Sequence, residues 1–171
     1  MRTACTLFLA FALSLAADAQ SWMAAPSMAT ARSGAAAVVL DGRLVVMGGR
    51  DAAGTALGTA EAFDPATGWT PLAPLRRARA DAAAAVLDGR IVLTGGRDDD
   101  DEPTDDVEVY DPVANRWESF EDLERTREGH GMASLPGVPV ALGGAGEEGA
   151  LLGSAEAFDD EWRDVPEWTL S

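Results

Sequence analysis

Paired glycines recur at Gly48-Gly49, Gly95-Gly96 and Gly143-Gly144, after intervals of 47 and then 48 residues. A period of this length means one supersecondary unit built three times, and it constrains the fold more tightly than any other feature. Each glycine pair closes a hairpin signal. The first runs from Ala35 to Leu40, turns at Asp41-Gly42-Arg43 and returns through Leu44 to Met47. The second runs from Ala82 to Leu87, turns at Asp88-Gly89-Arg90 and returns through Ile91 to Thr94. The third is looser, with Met132 to Leu135, Pro136-Gly137, and Val138 to Leu142. Asp-Gly supplies the positive φ angles that a two-residue hairpin turn needs. The flanking runs are apolar throughout and do not alternate, as expected of strands covered on both faces.

Downstream of each glycine pair a polar loop leads to a third strand that ends in an aromatic. These strands read Thr59-Ala-Glu-Ala-Phe63, Val107-Glu-Val-Tyr110 and Ser154-Ala-Glu-Ala-Phe158. Asp64-Pro65, Asp111-Pro112 and Asp159-Asp160 then open turns. Trp69, Trp117 and Trp162 follow, and six residues after each comes a large apolar residue, Leu75, Leu123 or Trp168. This predicts a short, Pro-marked outer strand. The ordered set of double glycine, aromatic and tryptophan resembles the kelch repeat over residues 22–168. The resemblance implies an all-β fold, a partial kelch-type β-propeller of about three four-stranded antiparallel blades. The expected division is repeat 1 at 30–76, repeat 2 at 77–124 and repeat 3 at 125–171. Its third copy departs most, with a Pro-Gly hairpin turn and a shorter aromatic-to-tryptophan turn. Trp22, six residues before Met28, matches an outer strand over 22–28. Propellers close with four to eight blades, so three repeats imply an open arc or a stretch of a longer propeller. An open arc exposes two apolar blade faces, and a homo-oligomer completing the ring is expected.

Residues 1–19 read as a secretory signal peptide helix. Arg2 is the basic start, Leu7 to Ala17 the apolar stretch, and Ala17-Asp18-Ala19 a small-residue cleavage site. The region from 20 to 171 is then a secreted, extracellular protein, with no further apolar run to hold it in a membrane. Cleavage removes one Arg and one Asp, leaving the net charge at −16, and removes Cys5, the sole cysteine. No disulfide or thiolate chemistry remains. So negative a surface repels nucleic acid and anionic lipid, and suits cations, cationic partners or neutral sugars.

Arg32, Arg79 and Arg127 recur just before the innermost strands. By the resemblance they lie at the mouth of the central channel, where some kelch domains bind acidic ligands. Three guanidiniums could hold carboxylates there. The alternative is hydrogen bonding to carboxylates between blades. His130, the only histidine, sits in Arg127-Glu-Gly-His130, as a binding residue or as a structural one. The run Asp98 to Glu102, with Asp105 and Asp106, is either a solvated loop or a calcium site, although it lacks the spaced pattern of a calcium loop. Some secreted kelch proteins are copper radical oxidases, which need a Tyr-Cys crosslink, a second Tyr and two His. Tyr110 and His130 cannot supply that set. No catalytic motif stands out, and no cofactor or metal is expected. The sequence therefore points to a non-catalytic binding module for a protein or glycan ligand. The alternatives are a kelch-type enzyme, such as a sugar isomerase, mutarotase or hydrolase, or an inactive part of a longer propeller.

Overall fold

The computed structural model describes residues 24–165. They form three four-stranded antiparallel sheets, each a meander in chain order. Blade 1 holds β1 (Ala36–Leu40), β2 (Arg43–Met47), β3 (Ala60–Asp64) and β4 (Gly68–Leu72). Blade 2 holds β5 (Ala83–Leu87), β6 (Arg90–Thr94), β7 (Val107–Asp111) and β8 (Arg116–Ser119). Blade 3 holds β9 (Gly131–Leu135), β10 (Val138–Leu142), β11 (Ala155–Asp159) and β12 (Glu161–Val165). The expected partial propeller is thus present. The signal segment, Trp22 and Trp168 lie outside the described residues. Residues 24–28 belong to no strand.

The hairpin turns take the form their residues dictate. Asp41 (φ 50°) and Gly42 (φ 75°) are both left-handed, as are Asp88 (φ 48°) and Gly89 (φ 73°). That is the primed turn whose twist matches a hairpin. In blade 3 only Gly137 (φ 78°) is left-handed, because a proline ring fixes Pro136 near −65°. A type II turn results, and Leu135 still pairs with Val138 across it. The divergent repeat therefore reaches the same hairpin by a different turn.

The outer strands end earlier than the sequence spacing predicts. β4 stops at Leu72 and β8 at Ser119, before Leu75 and Leu123. The Leu75 N–H turns away to the Gly58 carbonyl (2.8 Å), and Leu123 does the same to Asp105 (3.0 Å). Both leucines are buried in the seams between blades. The aromatic of each third strand sits directly opposite its tryptophan, as Phe63 with Trp69, Tyr110 with Trp117 and Phe158 with Trp162. Ring centroids are 5.1, 5.1 and 5.6 Å apart, within the range of favourable aromatic pairs. Each indole then reaches out of its own blade. Trp117 Nε1 donates to the Ala73 carbonyl just past β4 (3.0 Å), and Trp162 Nε1 to Glu121 just past β8 (2.9 Å). Trp69 Nε1 donates to Pro26 (2.8 Å), which fills the same place ahead of blade 1.

The core lies in the seams. Between blades 1 and 2 it comprises Leu40, Val45, Met47, Leu75, Ile91, Leu93, Tyr110 and Trp117, with smaller residues around them. Between blades 2 and 3 it is smaller, built on Val92, Val107, Leu123, Ala141 and Trp162. The glycine pairs make this stacking close. The Gly49 N–H donates to the Arg79 carbonyl (2.9 Å) and the Gly96 N–H to Arg127 (2.7 Å), each on the connector into the next blade. A Cβ on Gly48 would lie 2.5 Å from the Arg79 oxygen, and one on Gly95 2.3 Å from that of Arg127. Both glycines also have positive φ, so no other residue fits there without strain.

Candidate functional site

The three sequence-singled arginines are brought to one end of the sheets, where the connectors meet the strands that follow the glycine pairs. Arg32 Nη1 donates to the carbonyls of Gly48 (2.8 Å) and Thr59 (2.9 Å), and Nη2 to Glu61 Oε1 (2.7 Å). Arg79 repeats this with Gly95 (3.1 Å), Asp106 (2.8 Å) and Glu108 (2.8 Å). Arg127 repeats it with Gly143 (2.9 Å), Ser154 (3.1 Å) and Glu156 (2.7 Å). The second oxygen of each carboxylate accepts a connector N–H, from Ala29, Arg76 or Glu124. Each arginine is thus a clamp that holds the incoming connector onto its own blade. Its side chain is at most 1% exposed. Apart from Arg32 Nε, which is buried without a partner, these guanidiniums are spent on carboxylates and carbonyls, so the geometry assigns them to the scaffold and not to an acidic ligand. The partners Glu61, Glu108 and Glu156 were not among the sequence candidates. Their signal is plain in retrospect: each lies 29 residues after its arginine on a strand otherwise mostly apolar.

His130 is buried in the seam between blades 2 and 3, where the first seam has Ala82. Its Nε2 lies 2.8 Å from Thr94 Oγ1, while Nδ1 has no partner. Thr94 also reaches the Ala83 carbonyl (3.4 Å). The tautomer that uses both bonds has Nε2–H donating to Thr94, whose hydroxyl donates to Ala83. Nδ1 is then a bare lone pair, which costs less to bury than an unpaired N–H. Burial, and next the nearby Arg127 charge, push the His130 pKa down to about 4. The imidazole is a neutral packing group at ordinary pH.

The accessible chemistry lies on the loops that follow the glycine pairs. Asp51 and Asp98 start them in the same way. Asp51 Oδ1 accepts the N–H groups of Ala53 (2.8 Å) and Thr55 (3.0 Å), and Asp98 Oδ1 those of Asp100 (3.0 Å) and Glu102 (3.2 Å). The acidic run is therefore a folded loop, with Asp98 as its turn-forming base. Arg50 reaches across from blade 1 to Asp101, and Arg97 reaches Glu128 ahead of blade 3. Asp99, Asp100, Asp101 and Glu102 stay exposed.

Among the described residues, Asp105, Asp106 and Asp122 place one oxygen each within 4.8 Å of the others. Asp106 is already paired with Arg77 and lies 3.6 Å from Arg79. Burial raises its pKa, but the Arg77 hydrogen bond and the Arg79 charge outweigh that and hold it low. Asp122 Oδ1 accepts the Val107 N–H (3.4 Å). Arg77 and Arg79 thus offset the charge of Asp106 alone, and Arg79 is shared with Glu108.

The comparisons with known proteins agree with this architecture. A solved structure, that of YjhT, superposes with a TM-score of 0.71 at 15% identity, over 82% of this chain and 53% of that one. The chain thus spans about half the length of that structure, and the likeness is one of fold. No curated protein matches the sequence significantly. The kelch motif itself matches residues 31–76 and 78–124, which are blades 1 and 2 with their connectors, and blade 3 repeats their strand order, arginine clamp and tryptophan contact. The chain belongs to the kelch-repeat family.

Proposed function

We propose that this chain is an extracellular, non-catalytic binding module whose ligand face is the rim of loops after the glycine pairs, and whose ligand is a cationic segment of a protein partner. The observation that carries the reading is the loop Asp98–Glu102. Its base is fixed by Asp98 and Arg97, while Asp99, Asp100, Asp101 and Glu102 face solvent. A rigid scaffold that presents exposed charge on a tethered loop is how propeller-like folds bind partners. The overall charge of −16 steers cations to the same surface. The arginines and His130 support this by being occupied in the scaffold, and Asp101 is held by Arg50, which leaves Asp99, Asp100 and Glu102 as the rim carboxylates to recognise a partner.

The test is titration calorimetry with an oligoarginine peptide as probe, at low and at physiological salt. Binding that weakens with salt, and weakens at least tenfold in an Asp99→Asn, Asp100→Asn, Glu102→Gln variant, supports the reading. Binding equal in the variant and the unaltered protein refutes it. So does turnover of a sugar substrate by the purified chain.

A further inference from the structure

We propose that a groove on the outer side of blade 1 binds a neutral pyranose unit, at a place and by a chemistry separate from the acidic loop. The groove encloses about 530 Å³ beside the outer strand β4, a volume in the range of small-ligand sites. Ser27 and Thr30 on the incoming connector, with Thr59 ahead of β3, line it with hydroxyls. Trp69 and Pro71 on β4, with Pro74 just beyond, line it with apolar surface.

The three blades show that this place is open by sequence. Pro71, Ser119 and Asp164 stand directly opposite the clamp glutamates Glu61, Glu108 and Glu156. Thr30, Arg77 and Arg125 each lie two residues before a clamp arginine. In blade 2 Arg77 pairs with Asp106 (2.5 Å), and in blade 3 Arg125 pairs with Asp164 (2.8 Å). The blade 2 counterpart of the groove keeps only about 220 Å³, and Arg77, Asp106, Ser119 and Asp122 line it. Blade 1 has Thr30, Thr59, Pro71 and Pro74 at those four positions. It thus lacks the ion pair and gains apolar surface. Both linings fall within one blade and its connectors, 76–122 in blade 2 and 27–74 in blade 1. The groove is therefore built inside one repeat and not at an end of the arc.

The lining selects the ligand class. Glu61 has one oxygen on Arg32 Nη2 (2.7 Å) and the other on the Ala29 N–H (2.9 Å). A charged ligand would find no free counter-charge, and burying an unpaired charge is costly. A purely apolar ligand would strip water from three hydroxyls and return no hydrogen bond. A peptide strand added to β4 would lack a donor at Pro71. A pyranose has an apolar face of C–H groups and an edge of hydroxyls that both donate and accept, which matches the two sides of the groove. Thr59 Oγ1 accepts from Arg32 Nη2 (3.1 Å) and so keeps a proton to donate. Trp69 is already fixed, because Phe63 packs against it with ring centroids 5.1 Å apart and its Nε1 donates to the Pro26 carbonyl (2.8 Å). Its ring needs no ordering when a ligand arrives.

Saturation-transfer NMR tests this on the purified full chain, with the methyl α- and β-pyranosides of glucose, galactose and mannose as probes. At least one should receive saturation, most strongly at its ring C–H protons. Its 2-amino-2-deoxy analogue, although drawn by the overall charge of −16, should bind more weakly. Thr30→Arg with Pro71→Asp transplants the blade 3 ion pair into blade 1, and should abolish the transfer while the melting temperature is kept. Ser27→Ala with Thr30→Val leaves the groove open and should weaken binding about tenfold through lost hydrogen bonds. The Asp99→Asn, Asp100→Asn, Glu102→Gln variant should bind sugar as the unaltered protein does, so this site and the cation-binding loop are read separately. Saturation of none of these glycosides overturns the proposal. So does undiminished binding in either groove variant, tighter binding of the amino sugar, or loss of sugar binding in the acidic-loop variant.

Discussion

The two seams rest on the same backbone contacts but are filled differently. Where the first places Met47 against the neighbourhood of Ala82, the second places Thr94 against His130. An apolar pair is replaced by a hydrogen-bonded one. The first seam also has the larger apolar set, including Tyr110 and Trp117, while each seam carries an ion pair at its rim, Arg50–Asp101 in the first and Arg97–Glu128 in the second. The stacking geometry is therefore set by the glycines and the connector carbonyls. The filling is free to vary, and with it the way each seam responds to solvent conditions.

The largest expected effect tests whether the clamp matters more than the filling. Arg127→Met leaves Glu156, which is fully buried, without its cation. Breaking a buried pair from one side costs about 3–5 kcal/mol. Denaturant unfolding should show a loss of that size, and Arg79→Met a similar one, since the clamps are alike in both seams.

The next sharpens the contrast directly. Above pH about 6.5 His130 is neutral in both the folded and the unfolded chain. Below that the unfolded chain takes up a proton, while the folded one resists until about 4. Stability is thus present above the unfolded value and is lost as pH falls toward 4, by up to about 3 kcal/mol. A Thr94→Met, His130→Ala variant, which gives the second seam the filling of the first, should lose this histidine-linked part of the pH dependence in melts between pH 7 and 4.

Gly95→Ala and Gly143→Ala separate backbone strain from blade contact. Both sites are left-handed, at φ 58° and 61°, so both lose about 1 kcal/mol to conformation. Only Gly95 also meets a carbonyl of the next blade, so its variant should be destabilised by about 1–3 kcal/mol more. Equal melting temperatures at low protein concentration would show that the glycine contact does not hold the seam. The smallest effect belongs to Arg97→Ala. Its pair with Glu128 is part-exposed, and its loss should cost no more than about 1 kcal/mol, reduced further by salt.

Much of the fold was legible because the repeat carries its own punctuation. Asp-Gly turns, glycine pairs and the aromatic-to-tryptophan spacing locate nearly all the strands. Spacing alone makes the outer strands too long, because Leu75 and Leu123 are apolar for the seam and not for the sheet. The site was less legible. Arg32, Arg79 and Arg127 were found by their period, but a period does not show which way a guanidinium points. Pairing them with Glu61, Glu108 and Glu156 would have required following charge as well as glycine through the repeat. The acidic loop was visible as composition, while the anchoring of its base by Asp98 depends on backbone geometry that the run of like residues conceals.

The clamp has a consequence for how such a chain can grow. Each arginine and its glutamate lie 29 residues apart within a single period, together with the carbonyls they hold. A duplication of one period copies a complete, charge-balanced unit, and its deletion leaves no orphaned ion behind. Contacts between periods are made largely by main-chain atoms and apolar side chains, with the Thr94–His130 bond and the rim pairs Arg50–Asp101 and Arg97–Glu128 added to them. Inheritance in whole units is thereby separated from variation at their borders, so blades can be added, lost or recoloured at the rim without renegotiating their interiors.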